Sequence, residues 1–359
     1  MDLNNVDVAK IDKNFTVNEK VFREGQRFYS CEEQPFALYG VFREGERFVR
    51  MPLEVAESVS PGVHGLSTHA AGGRVRFITD SPYVALIAGL ANHFNGNHFT
   101  LYGSSGFDAY IGKPGDVPYY IGTFSVPDCK ERDYQSIIAL PMGEWEVTIN
   151  FPLYRSVKEL YIGLDESAML KEPTPYKYEK PVLYYGSSVT QGGCANRPGM
   201  SYQGILSRRL GCDFINLGFS GSAKGEDAMI EYLASLDPSV FVLDYDYNAV
   251  APEHLDATHE KLFLAFRAAH PTTPVVMLSA PLPELHLGES MRARREIIRR
   301  TYKNAIAAGD ENVWFIDGAT IITTEGTVDR CHPTDLGFTQ MADGIEPVLR
   351  VALEKSVNE

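Results

Sequence analysis

Positive charge is scarce in this 359-residue chain: 33 Lys and Arg stand against 47 Asp and Glu, a formal net charge of −14. With no cationic excess to displace counterions, nucleic acid and anionic membrane surfaces are disfavoured as partners. Long apolar runs are missing as well. No stretch approaches the ~18 uninterrupted apolar residues of a membrane-spanning helix, so no membrane partner is expected. The five cysteines (Cys31, Cys129, Cys194, Cys212 and Cys331) are scattered and odd in number, without a CxxC pair or the Cys/His spacing of structural zinc. His93 and His98 flank a turn signal, Asn95-Gly96-Asn97, but have no third ligand nearby, so no metal is expected there. Residues 1–20 are polar and acidic and lack the apolar core and cleavage site of a secretory leader, which makes a cytoplasmic location the default expectation.

What the chain does contain is ordinary for a globular protein, with 44% apolar and 22% charged residues. Its length exceeds one typical core, so two domains are expected. Residues 1–165 read as short β segments separated by Gly, Pro, Asn and Asp, the texture of a β-sandwich. Candidate strands are Arg74–Ile78, Tyr83–Ala88, Phe99–Tyr102, Tyr119–Phe124, Ile137–Leu140, Trp145–Ile149 and Leu160–Leu164. The run from Val21 to Phe28 nearly recurs from Val41 to Phe48, each copy with a central glycine, and predicts two similar hairpins. Phe107, Tyr110, Tyr119, Tyr120 and Trp145 are expected to fill the sandwich core, the alternative being a sugar-stacking face. Residues 166–180, charged and holding Pro173 and Pro175, read as a linker.

From residue 181 to 359 the texture changes to alternating strand and helix. Apolar runs Val182–Tyr185, Asp213–Leu217, Val240–Asp244, Pro274–Leu278 and Asn312–Ile316 alternate with helical patterns near 201–210, 226–236, 253–269 and 289–308, and a last one near 336–355. That order predicts a doubly wound, three-layer α/β/α domain on a parallel sheet. Gly309 is placed to end a helix, and the basic run Arg292 to Arg300 reads as a solvated helix face.

The carboxyl ends of such strands gather at one edge of the sheet, where reacting groups sit. After the first strand come Gly186, Ser187 and Ser188; after the second, Gly218 to Gly221; after the third, Asp244 to Asn248; and before the last helix, Asp329-Arg330-Cys331-His332-Pro333. These are the parts of a serine hydrolase. Ser188 is the candidate nucleophile, His332 its base, and Asp329 the acid that orients the imidazole. The backbone N–H groups of Ser188 and Gly221 and the Asn248 amide are the candidate oxyanion donors. A catalytic triad supplies its own nucleophile and base, so neither an organic cofactor nor a catalytic metal is expected. No dinucleotide fingerprint or phosphate-binding loop follows the first strand.

In these blocks the second half resembles the SGNH (GDSL-like) hydrolase family. Ser188 lies in Gly-Ser-Ser-Val-Thr-Gln-Gly, Gly221 in Asn-Leu-Gly-Phe-Ser-Gly, Asn248 in Asp-Tyr-Asn and His332 in Asp-Arg-Cys-His-Pro, in the family's order. Two positions depart: Ser187 replaces the usual aspartate, and Asp246 stands where a glycine is usual. Asp246 would bring a carboxylate near the oxyanion site and is expected to point away or to hold a loop. Gly106-Phe107-Asp108-Ala109-Tyr110 is similar to the Gly-x-Asp-Leu-Tyr motif of a jelly-roll-like β-sandwich module that precedes the catalytic domain in part of the superfamily. The plan also looks like that of carbohydrate esterases of family 2. The resemblance implies an esterase acting on a small-molecule acyl ester, with acetyl on a sugar or glycoside expected. An acyltransferase using the same acyl-enzyme, and a binding protein with a vestigial site, are the alternatives; oligomeric state is left open.

Overall fold

The computed structural model describes residues 21–91, 96–126 and 133–357; His93 and Cys129 lie outside them. The first half contains β1 (Gln26–Ser30), β2 (Ala37–Tyr39), β3 (Phe42–Glu44), β4 (Arg47–Val49), β5 (Arg74–Thr79), β6 (Tyr83–Ala91), β7 (Phe107–Gly112), β8 (Tyr119–Phe124), β9 (Asp133–Ala139), β10 (Trp145–Asn150), β11 (Ser156–Asp165) and β12 (Leu170–Lys171). One antiparallel sheet runs β1-β11-β6-β9; the other runs β12-β5-β10-β7-β8, with β2 also on β5. Alternate residues of each strand point inward. Phe77, Phe107, Val147 and Ile149 from one sheet thus meet Leu86, Ala88, Leu160 and Ile162 from the other in a shared core.

Three local expectations are corrected. Only the second repeat copy is a hairpin, β3 against β4 across Gly45. In the first copy Gly25 makes a turn, and the strand after it pairs with β11, because the far longer strand offers more ladder than the preceding residues can. Phe99–Tyr102 is not a strand: the Thr100 hydroxyl accepts the Gly103 N–H and caps helix α3 (Leu101–Ser105), which follows α1 (Leu53–Val59) and α2 (Pro61–Ser67). Side-chain capping outbids β propensity in so short a run. The expected linker also contributes β12 as a sheet edge. The aromatics divide. Phe107 and Tyr110 are buried, but Tyr119 and Tyr120 are exposed, and Trp145 lies edge-on to Tyr119.

The second half forms one parallel sheet of β13 (Val182–Gly186), β14 (Phe214–Gly218), β15 (Val240–Asp244), β16 (Val275–Leu278) and β17 (Val313–Ile316), in the order β14-β13-β15-β16-β17. Its helices are α4 (Ser188–Gln191), α5 (Tyr202–Leu210), α6 (Asp227–Ser235), α7 (Pro252–Ala269), α8 (Glu289–Ala307) and α9 (Asp335–Val357). Alternation along the strands builds two cores. Val182, Tyr184, Val240 and Val242 pack on α5 and α9 through Leu206, Phe338 and Ile345. Leu183, Tyr185, Phe241 and Leu243 pack on α6, α7 and α8 through Met229, Leu262 and Ile298. These are the three layers expected. Gly309, at φ +88°, closes α8: its N–H reaches the Ile306 carbonyl at 3.0 Å. The basic run on α8 is mostly a solvated face, except that Arg294 is buried and donates to the carbonyls of Asp246 and Ala249.

Strand order reverses direction at β13, so its carboxyl end is the topological switch point. The Gly-x-Asp-Leu-Tyr-like motif sits at the seam between the domains. Buried Asp108 accepts from Asn150 within the sandwich and from the Gly199 N–H of the other domain. A Cβ at Gly199 would run into the Tyr110 ring. Arg74 of β5 reaches across to Asp213 in an ion pair.

Candidate active site

Ser188 stands at the first turn of α4, directly after β13. The Ser187 hydroxyl caps this helix by accepting the Val189 N–H at 3.2 Å, the service performed here by the residue that replaces the family's aspartate. The Ser187 N–H donates to the Asp244 carbonyl at 3.1 Å, tying the nucleophile turn to the end of β15. A Cβ at Gly186 would collide with Thr190 Oγ1 and the Asp244 carbonyl, so this approach requires glycine. The Ser188 N–H is at a helix N-terminus, where backbone donors have no intrahelical partner.

Ser188 Oγ lies 2.8 Å from His332 Nε2, and His332 Nδ1 lies 2.8 Å from Asp329 Oδ2. The short spacing of acid and base has a local cause. Asp329 Oδ1 accepts the N–H groups of Cys331 (3.1 Å) and His332 (2.8 Å), folding its own loop into a turn with Arg330 at φ +64°. Burial alone would raise the Asp329 carboxyl; the bonds from the His332 N–H and imidazole more than offset it and hold it below its ordinary value. Asp329 is thus a carboxylate fit to fix the imidazole tautomer.

The loop after β14 closes the opposite side. The Phe219 carbonyl accepts from the N–H groups of Ser222 (2.9 Å) and Ala223 (3.2 Å) and from Asn248 Nδ2 (2.8 Å). An amide has two N–H bonds; spending one on Phe219 fixes its plane and leaves the other to donate. Gly221, at φ +69°, is exposed, and a Cβ there would meet nothing within 4 Å. Asp246 points into the protein, where its Oδ2 accepts the Ala280 N–H at 2.9 Å. It holds the loop after β16, as expected of it, and burial pushes its carboxyl up to about 6.

Several supports escaped the sequence reading, and most come from the sandwich half. Gln191, in α4, accepts the Ser220 N–H at 3.1 Å and donates to the Leu153 carbonyl at 3.0 Å, joining nucleophile turn, oxyanion loop and sandwich. Its amide also lies 3.1 Å from His69 Nδ1. Burial, then the nearby Arg50 charge, lowers His69 to about 3, so the ring is neutral and accepts. Arg50 is itself buried, with Nη1 donating to the carbonyls of Asn216 (2.9 Å) and Gly218 (2.8 Å) and its guanidinium over the Phe219 ring. It has carbonyls and an aromatic face for partners, and burial lowers it to about 9. The Tyr154 hydroxyl donates to the Ser188 carbonyl at 3.2 Å. His98 and Phe99 pack beside the His332 ring, with centroids 5.3 and 6.1 Å away.

His98 has no metal-ligand neighbours in sequence, but the fold brings Cys194 and His332 near it. Sequence spacing does not register ligands that meet across a domain seam. The free Cys194 and Cys331 are raised to about 12 by burial, which makes neither a ready nucleophile. His259 is buried against Tyr245 and Thr301, and His254 bonds the Lys224 carbonyl; both serve packing. A cavity of about 190 Å³ between the domains, lined by Arg74, Arg76, Glu146 and Arg208, includes no triad residue. Among the described residues no helix is long and apolar enough to cross a membrane.

Comparison with known proteins gives a consistent picture. Residues 179–350 match the profile of the GDSL-like lipase/acylhydrolase family, and residues 26–170 match the N-terminus of SGNH-hydrolase-type esterases. A Bacteroides ovatus protein described as a GDSL-like lipase is 29% identical, with a TM-score of 0.82 over 92% of this chain and 98% of that one. The salicylyl-acyltransferase SsfX3 of a tetracycline biosynthetic pathway shares the fold over the same fractions, at 19% identity and a TM-score of 0.75. A family two carbohydrate esterase from Cellvibrio japonicus does so at 13% identity and a TM-score of 0.61, again over 92% and 98%. No curated protein matches the sequence.

Proposed function

Given that this chain belongs to the GDSL-like lipase/acylhydrolase family through residues 179–350 and is a serine ester hydrolase, we propose that it removes a small acyl group, acetyl in the simplest case, from a carbohydrate or glycoside. The observation that carries the reading is the unbroken chain Ser188 Oγ–His332 Nε2, His332 Nδ1–Asp329 Oδ2, both links at 2.8 Å. His332 takes the Ser188 proton as Oγ attacks the acyl carbon, and Asp329 stabilises the imidazolium. The developing oxyanion is met by the N–H groups of Ser188 and Gly221 and the free N–H of Asn248, each such donor supplying about 3 kcal/mol. His332 then protonates the leaving alcohol. In the second half-reaction it deprotonates water, which releases the acid from Ser188.

The test is hydrolysis of p-nitrophenyl acetate and of acetylated oligosaccharides by wild type and Ser188→Ala. Turnover that survives the substitution would remove Ser188 from the mechanism. A second reading, transfer of the acyl group to an alcohol acceptor, draws support from the two-domain plan shared with the salicylyl-acyltransferase. In that case added acceptor alcohols would divert product from free acid to ester; an unchanged product ratio speaks for hydrolysis.

A further inference from the structure

Two side chains of metal-ligand chemistry stand against the triad with no part in ester cleavage: His98, from the sandwich, and Cys194, from the loop after α4. One ligand atom from each of His98, Cys194 and His332 lies within 4.8 Å of the other two. Asp329 borders the group, with its Oδ2 3.8 Å from His98 Nε2. We infer that His98, Cys194 and His332 form a site for a zinc-class transition-metal ion, and that filling it arrests the enzyme by taking its catalytic imidazole.

Two imidazoles and a thiolate suit Zn²⁺ and its neighbours, whereas Mg²⁺ and Ca²⁺ take oxygen ligands. Tetrahedral bonds of about 2.0–2.3 Å place ligand atoms about 3.5 Å apart, so the group must contract by about 1 Å. The adjustable member is His98, whose side chain is 40% exposed. Cys194 is set by its backbone: it holds φ +71°, which a non-glycine residue seldom adopts, behind a Gly193 N–H donating to the Ser188 carbonyl at 2.7 Å. The thiol gives its proton to buffer on coordination. Asp329 or water completes the fourth position.

Inhibition follows from the two nitrogens of His332. Nε2 faces Ser188 and Nδ1 faces Asp329. An ion on the first removes the base; an ion on the second displaces the orienting carboxylate. The ion also ties a sandwich residue to two from the other domain, so it stabilises the folded protein. The inhibitory half rests on the proposed ester cleavage and the binding half does not, so each is read by its own signal.

The experiment uses the full chain, stripped with EDTA, under a non-thiol reductant. Co²⁺ is titrated while the thiolate-to-cobalt charge-transfer absorption is followed, and Zn²⁺ is titrated against p-nitrophenyl acetate turnover. The expected result is one Co²⁺ per chain with a thiolate band, absent in Cys194→Ser and kept in Cys331→Ser. Zn²⁺ inhibition is reversed by EDTA, and the half-inhibiting concentration rises at least about tenfold in both Cys194→Ser and His98→Ala. Cys194→Ser keeps wild-type turnover without metal. Because His98 is exposed, its variant preserves the test if Cys194→Ser folds poorly. No thiolate band in wild type, or a band and inhibition unchanged in both variants, overturns the site. A band that obeys the variants in a protein that cleaves no ester upholds the metal site and sinks the ester reading instead.

Discussion

The α/β half presents its reacting groups on small residues and tight turns. Ser188 is on a four-residue helix, Gly221 on an open loop at positive φ, and His332 on a turn closed by Asp329. The sandwich half presents no reacting group to that site, yet it sends large, mostly buried side chains to the same place. Arg50 grips the end of β14, His69 meets Gln191, Tyr154 bonds the Ser188 carbonyl, and His98 with Phe99 lies beside His332. The difference teaches that this site has two kinds of residue with separate physical demands. Reacting groups need access and an unspent donor or lone pair. Supports need burial, because a hydrogen bond positions a loop best where water cannot compete for it.

Substitutions can break that comparison. The largest effect belongs to the reacting set: Ser188→Ala should lower kcat on p-nitrophenyl acetate by about 10⁴-fold or more with the melting temperature unchanged. A comparable loss of activity and stability together would mean that Ser188 is a structural residue. Next comes the support from the sandwich. Arg50→Ala leaves the carbonyls of Asn216 and Gly218 buried and without its donors, at about 1–3 kcal/mol each. It should therefore lower both the melting temperature and kcat, whereas Ser188→Ala lowers kcat alone. An Arg50→Ala protein with wild-type kinetics would show that the sandwich only braces the sheet. Gln191→Ala is milder: it frees the Ser220 N–H from its acceptor, and kcat should fall about tenfold with KM little changed, as expected when a donor loop loosens. A rise in KM alone would assign Gln191 to substrate binding.

The smallest effects sharpen the contrast through pH. His69, in the sandwich, is lowered from 6.5 to about 3, so the stability it allows is full above about pH 6.5 and is lost as pH falls toward 3. Asp246, in the other half, is raised from 3.8 to about 6, so its contribution is full below 3.8 and is lost as pH rises through about 6. The slopes oppose each other. Thermal melts across this range should show that His69→Gln flattens the acid-side loss and Asp246→Asn the loss on rising toward pH 6. Parallel curves for wild type and variants would mean that neither group is held as buried as it is here.

Much of the site was legible because catalytic chemistry is carried by few residue types at strand ends. Ser188, Asp329 and His332 could be read from blocks that fall just past apolar runs, and the strand–helix alternation placed those blocks at one edge. The helix near 253–269 was legible for a similar reason: Leu255, Leu262, Phe263 and Phe266 form a long, one-sided apolar pattern. Phe99–Tyr102 was misread because two aromatics in four residues look like a strand until the Thr100 cap is seen. The first repeat copy was misread because pairing is decided by the strand available nearby, and β11 competes with the local hairpin.

By itself, then, the sequence determined the kinds of element, their order, and which side chains have the chemistry to react, because these depend on residue type and spacing within short windows. Tertiary structure alone decided that Tyr154 and His98 reach the triad, that Arg50 and His69 reach the loops and helix around it, and that Cys194 comes within 4.8 Å of two imidazoles. Those contacts join residues far apart in the chain across a seam between two domains. No local pattern encodes such a contact; it exists only once the sandwich and the parallel sheet have buried their faces and fixed where every loop must end.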